Sequence, residues 1–534
     1  MTPNGHPDLS LRHADLGVSY IDRFQRLGEL KDLEKAVEHE SRALALTPDG
    51  HPSLPERHFN RAETLFLQYQ HTEDPHYLKL SLDSFRNASQ FSAGAPRDKF
   101  QYALSWAKRA SEHNLTCIEA YQATMNILPQ FIWLGATTTQ RYHDLWTAED
   151  LAVNAASAAI LHSDYKLALE WLEHARCVVW NQTLMLRSPV DELQTSHPDL
   201  AARLQEVSKQ LHDAGTQSAT SQTFSSNLVD REQVAQRRLR LAGEYNDLLA
   251  QTRKLPGFGD FLRPMKADRL VRAARSGPIV VINCHKNRCD ALLILPGQGD
   301  VKLLPLPNFT AKKAQKARSE LESSLRRKGL RQRGFKVRLP PGHKASIANV
   351  LLVLWKDVVK PVLDFLEFKN DSSMGSLPHI TWCPTGPMSF LPLHAAGDYD
   401  QPGSSVFNYV ISSYTPTLTA LIGSTPSTLN SVSRVLAIGQ AKTPGHTPLP
   451  GTAKELKYVK SHVQNKAEYL QLVDHQANTT NVLDAMEQHD WVHLACHAHQ
   501  NVEDPTKSGF FLHDGTLDLT SINQHRDRRR EAAR

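Results

Sequence analysis

The chain has 534 residues, with 61 Lys or Arg against 56 Asp or Glu and a net charge of +5. Over this length the charge is close to balanced, so it gives no footing for nucleic-acid or membrane-surface binding. The hydrophobic fraction of 40% supplies an ordinary globular core, and six sparse, irregularly spaced cysteines argue against a disulfide framework. The N-terminus MTPNGHPDLSLRH has no apolar signal region, and no run approaches the roughly 18 apolar residues of a membrane span. A cytoplasmic setting is expected.

The first half is helical and repetitive. TPNGHPDLSLRH (Thr2 to His13) recurs as TPDGHPSLPERH (Thr47 to His58), an offset of 45 residues. At that offset Gly17 falls on Ala62, Phe24 on Tyr69, Leu33 on Leu78 and Ala43 on Ala88. Small residues keep small partners and large ones keep large partners, as stacked helix pairs require. Leu16, Tyr20, Phe24 and Leu27 follow helical spacing, and proline and glycine in TP(N/D)GHP predict the turn between units. Helical patterning continues to about Ala214. The pattern resembles a tetratricopeptide-type solenoid with long, fungal-style units. That resemblance implies a concave surface for protein or peptide partners; a structural array without a partner is the alternative.

Thr216 to Asn227 (TQSATSQTFSSN) lacks apolar periodicity and is expected to be an exposed linker. An amphipathic helix follows at Arg231 to Leu249.

From Pro278 short β-rich runs alternate with helical stretches: IVVINC, ALLILP, VKLLPL, HITWCP, YVISSY, RVLAIG, EYLQLV, WVHLAC and GFFLHD. Such alternation predicts an α/β sheet covered on its faces. RVLAIG and WVHLAC are nearly all apolar, as central strands are. In open α/β sheets functional residues lie just beyond the carboxyl ends of central strands, where His497 falls.

The order of segments carries more than any one of them. A strand with WCPTGPMSFLPLHAA is followed by YVISSYTPTLTAL, RVLAIG, LPGTAKELKYV and WVHLACHAHQN, then DPTKSGFFLHDGTLDLTSI. This succession resembles the CHAT domain, the caspase-like domain associated with tetratricopeptide repeats, over about Pro278 to Ile522. The resemblance implies a cysteine-endopeptidase family and gives His497 the role of general base. The family's next residue is glycine; here it is Ala498, whose backbone N–H remains available as an oxyanion donor but whose side chain disfavours positive φ.

The resemblance also implies a cysteine at the end of a following strand. Here DGTLDLTSI runs into NQHRDRRREAAR, which has no apolar residues but its alanines and is expected to be a solvated basic tail. The expectation is a chain truncated relative to its family, with a sheet short of at least one strand and an edge to cover. Cys496 adjoins His497, and successive strand side chains diverge, so it is expected to be structural. Cys284 and Cys289 fall too early in the domain. Cys383, at a strand end, is the one substitute nucleophile.

His493, His497 and His499 share strand parity and offer an H-x-H pair for zinc, without an evident third ligand. Ser389 in GPMSFLP lacks a nucleophile-elbow pattern, and LPGTAKEL is a connection or an anion-binding helix start. No cofactor or metal is expected.

The expected architecture is therefore α plus α/β. A tetratricopeptide-like solenoid spans 1–215, a linker and amphipathic helix 216–277, an incomplete caspase-like α/β domain 278–522 and a basic tail 523–534. The expected function is a caspase-like peptidase-family protein, inactive in this form, with repeats that recruit protein. The alternative is a noncatalytic scaffold or regulatory module.

Overall fold

In the computed structural model, the structure describes residues 8–91, 94–113, 117–176, 178–186, 190–220, 228–327, 347–370, 377–423, 430–501 and 504–525, with His6 and Leu115. The N-terminal part is helical: α1 (Leu9–Leu27), α2 (Leu30–Ala45), α3 (Leu54–Thr72), α4 (Pro75–Gln90), α5 (Pro96–Glu112), α6 (Ile118–Phe131), α7 (Thr138–Thr147), α8 (Leu151–Leu161), α9 (Tyr165–Arg176), α10 (Val178–Met185), α11 (Asp191–Ser196), α12 (Pro198–Thr220) and α13 (Leu228–Thr252). Helix α3 begins 45 residues after α1 and α4 begins 45 after α2, with matching lengths of 19 and 16 residues.

The cause of the repeat is visible in its contacts. Gly17 on α1 lies so close to α2 that a Cβ there would sit 2.8 Å from Glu40 Cγ. Leu33, Ala43, Ala62, Leu78 and Ala88 are all buried. Gly28 ends α1 in a left-handed turn and donates its N–H to Phe24 O at 2.7 Å. Gly50 is left-handed in the turn before α3. The buried face of α1 is Ser10, Gly17 and Phe24; Leu16 and Leu27, whose spacing had placed them on the core face, are exposed. Helix α12 runs to Thr220, so the start of the segment expected to be linker is helical. Its Gln, Ser and Ala residues tolerate helix. Residues 221–227 and the basic tail from 526 lie outside the described residues.

Packing divides the chain into two compact units. One comprises Met1–Trp133, Ala148–Asn181 and Leu262–Gly423; the other comprises Leu134–Thr147, Gln182–Phe261 and Ser424–Arg534.

In the first unit, β1 (Ile279–Cys284), β2 (Cys289–Ile294), β3 (Val301–Pro305), β4 (His379–Pro384) and β5 (Ile411–Tyr414) form a sheet of order β3-β2-β1-β4-β5. The β1–β4 and β4–β5 pairs are parallel, whereas β2 pairs antiparallel with both β1 and β3. Helices α14 (Ala267–Leu270), α15 (Ala311–Arg327), α16 (Ile347–Leu354), α17 (Lys360–Phe365) and α18 (Leu418–Gly423) accompany it. A π turn at Trp355–Val359 separates α16 from α17, just before Pro361, which cannot donate to a continuing ladder.

One face of β1 (Val280, Ile282, Cys284) packs into a core with Trp355, Val358, Val362 and Trp382. From the other face Asn283 donates its side-chain N–H to the Val153 carbonyl of α8 at 3.2 Å. Helical repeats thus cover the sheet where an α/β fold would place a crossover helix. Two carboxylate contacts reinforce this. Glu173 on α9 accepts from the backbone N–H groups of Leu418 and Thr419 at 3.0 and 2.8 Å. Glu170 accepts from Ala267 N at 2.8 Å.

In the second unit, β6 (Arg434–Gly439), β7 (Glu468–Val473) and β8 (Trp491–Ala495) form a parallel sheet of order β7-β6-β8, with α19 (Thr452–Val463) and α20 (Thr479–Gln488) as crossovers. A small antiparallel sheet of β9 (His497–His499), β10 (Gly509–Phe511) and β11 (Thr516–Asp518) follows, then α21 (Leu519–His525). Leu436 and Ile438 face a core with Val482, Leu512 and Leu517, while Ala437 faces Leu456 and Ala495. β6 is central and buried, as its apolar run predicts. β8 is not central: among the described residues it has a partner on one side only, and Trp491 and Val492 are 46% and 37% exposed. No described helix is long and apolar enough to cross a membrane.

Candidate functional site

The carboxyl ends of β6, β7 and β8 meet at Gly439, Val473 and Ala495, which are register partners. Gly439 is required by packing, because a Cβ would sit 2.5 Å from Leu456 Cδ1. Gln440, fully buried, then turns the chain. Its backbone N–H donates to Ala495 O at 2.9 Å, and its side-chain Nε2 donates to the carbonyls of Asp474 and Ala477 at 3.0 and 2.8 Å.

Asp474, just after β7, holds a left-handed backbone with φ 42°. Its Oδ1 accepts from Ala441 N and Lys442 N at 3.0 and 3.1 Å. Non-glycine residues pay for that conformation, and such strain concentrates at functional sites. The loop pinned in this way, from Ala441 to Pro450, closes on itself through Leu449 N to Ala441 O at 2.9 Å.

His497 lies two residues beyond β8, and its Nε2 is 2.7 Å from the Thr447 carbonyl of that loop. A carbonyl only accepts, so Nε2 carries the proton; in the neutral ring Nδ1 is then the basic nitrogen. The His446 ring is 5.2 Å from that of His497 and 4.2 Å from Phe511. His497 faces Phe511 in the β9–β10 register, and Ala498 faces Phe510 in extended strand, so the alanine is not placed in the left-handed region.

The three-histidine parity does not hold. β8 ends at Ala495, Cys496 makes a bend, and His497 and His499 belong to a different sheet from His493. His493 Nε2 lies 2.9 Å from Glu455 Oε1 on α19, and His499 stacks on Phe511. Among the described residues no group of three or more metal-ligating side chains gathers.

Neither candidate cysteine meets an imidazole in its described contacts. Cys496 is half-buried, and burial pushes its thiol up to about 11, leaving almost no thiolate at neutral pH. Cys383 on β4 is 1% exposed. Its sulfur accepts from Arg176 Nη2 at 3.4 Å and lies 3.9 Å from Pro416 O. Burial raises its pKa, and the Arg176 charge opposes that only in part. Ser389 donates to Pro384 O at 3.2 Å.

Thr447, Asp474, Gln440 and His446 carry no motif in the sequence. The available signals were a proline- and glycine-rich loop after a buried strand and an aspartate directly after another.

Parallel strands joined by crossover helices, with a histidine held near their carboxyl ends by a backbone carbonyl, define an α/β domain. Residues 349–531 match the family model of the CHAT domain, so this part of the chain is a CHAT domain. The match opens within α16 and runs through both sheets of the second unit. No curated protein matches the chain.

Proposed function

We propose that this chain is a caspase-like cysteine-peptidase-family protein that retains the histidine of a catalytic dyad but, as the 534-residue chain stands, does not cleave peptides. Its helical repeats are assigned to recruiting a protein or peptide partner. The observation that carries this reading is His497 at the start of β9, two residues beyond β8, its Nε2–H on the Thr447 carbonyl and its Nδ1 left as the base. Peptide cleavage by such a base requires a thiolate within hydrogen-bond reach, and protonation of the leaving amine by the same imidazole. Cys496 adjoins His497 in the sequence, and burial keeps it a thiol. Ala498 would supply a backbone N–H to an oxyanion. The second reading, a noncatalytic docking module, is favoured by the one-sided pairing of β8 among the described residues, since an unpaired strand edge accepts an extended peptide.

The test is turnover of a panel of peptide amides by the purified chain and by His497→Ala. The expected result is the same background rate in both. Turnover that disappears in His497→Ala overturns the proposal.

A further inference from the structure

Cys284 and Cys289 are unused by the site described above, and the topology sets them face to face. They are the last register partners of the antiparallel β1–β2 pair, before the turn at His285 to Arg288. Directly opposed residues of such a pair point to the same face. Both thiols indeed enter the same core as Val280, Ile282, Ala291 and Leu293. Opposed Cα atoms lie about 4.5 or about 5.5 Å apart, depending on whether the pair is hydrogen-bonded. Either value falls inside the roughly 4.4–6.8 Å that a disulfide spans. Both cysteines are free.

We propose that Cys284 and Cys289 form a reversible dithiol–disulfide pair that locks the tip of the β1–β2 hairpin. The proposal is independent of any peptidase activity. The oxidant is a low-molecular-weight disulfide such as oxidised glutathione. One protein thiol loses its proton, and its sulfur attacks the glutathione disulfide, displacing one glutathione thiolate. The second protein sulfur, deprotonated in turn, attacks the protein sulfur of the mixed disulfide and displaces the other. The pair loses two electrons and two protons; two glutathione thiols leave with them.

Access runs through the turn, where Lys286 and Asn287 are exposed while the cysteines lie just beneath. Closing the pair fixes the neighbouring residue Asn283, whose side chain holds the Val153 carbonyl of α8. Oxidation therefore stiffens the joint between sheet and helical repeats within this unit.

The experiment equilibrates the purified full chain in glutathione buffers from reducing to oxidising, then unfolds, alkylates and digests it with trypsin. Lys286 and Arg288 lie between the cysteines, so cleavage separates them unless a disulfide holds the peptides together. The expected result is a linked Cys284–Cys289 peptide that grows with the oxidised fraction and reverts under dithiothreitol. A higher thermal midpoint should accompany it and vanish in Cys284→Ser. Full alkylation of both residues in every buffer overturns the proposal. So does a glutathione adduct on either that never resolves into the linked peptide. If Cys284→Ser fails to fold, the peptide map of the native chain still decides.

Discussion

His497 and Thr447, fifty residues apart in sequence, are joined by a 2.7 Å hydrogen bond from the imidazole Nε2–H to the backbone carbonyl. The bond selects a tautomer rather than merely holding a ring. Nitrogen-resolved NMR of the imidazole should show Nε2 protonated and Nδ1 bare in the neutral ring. The reverse assignment would remove the basis for Nδ1 as the base.

Asp474 supports that arrangement at one remove, through the loop that carries Thr447. Asp474→Ala removes the acceptor for Ala441 N and Lys442 N and leaves a residue with a Cβ in a left-handed conformation. A loss of about 1–2 kcal/mol is expected. Asp474→Asn, which keeps an acceptor and tolerates positive φ, should lose less than half of that. Urea unfolding of both variants, together with the His497 imidazole resonances, checks the order. Equal losses would show that the contact is not what matters.

Glu40 links stability to pH. It is 4% exposed between α1 and α3, accepts from the Thr64 hydroxyl at 2.8 Å, and burial raises its pKa from 4.5 to about 7. Between those values the folded state holds a proton that the unfolded state has released. Stability from this group is therefore present below about pH 4.5, falls as pH rises through about 7, and is flat above. The difference corresponds to about 3 kcal/mol. Glu40→Gln should stabilise the chain at pH 8 and do little at pH 4.5. Thermal midpoints across that range decide, and a variant equally shifted at both ends would refute the linkage.

Glu173 gives the contact between α9 and the segment after β5 its polar anchor. Glu173→Ala leaves the N–H groups of Leu418 and Thr419 without their acceptor. An expected cost of about 3 kcal/mol follows from two hydrogen bonds to a charged group. Hydrogen exchange at Leu418 and Thr419 should accelerate in the variant, and unchanged protection there would contradict the assignment.

Much of the fold was legible because it is written in local periodicity. The 45-residue offset placed α3 and α4 on α1 and α2, and RVLAIG announced the buried centre of its sheet. Strand partnership was not legible, since an apolar run says that a strand is buried but not by what. WVHLAC therefore looked central although β8 has one partner among the described residues. The bend at Cys496 was equally silent, and with it the move of His497 into a second sheet. His497 itself was found from its place after a strand. Thr447 was not, because a backbone carbonyl has no residue type to recognise, and Asp474 acts through a dihedral angle that sequence does not display.

The most direct measurement is covalent labelling with a peptide-derived, thiol-reactive electrophile, read by intact mass for the chain and for His497→Ala. The account predicts slow labelling, identical in the two proteins, because His497 activates no cysteine among the described residues. Rapid single-site labelling lost in His497→Ala would reveal an activated cysteine and contradict it.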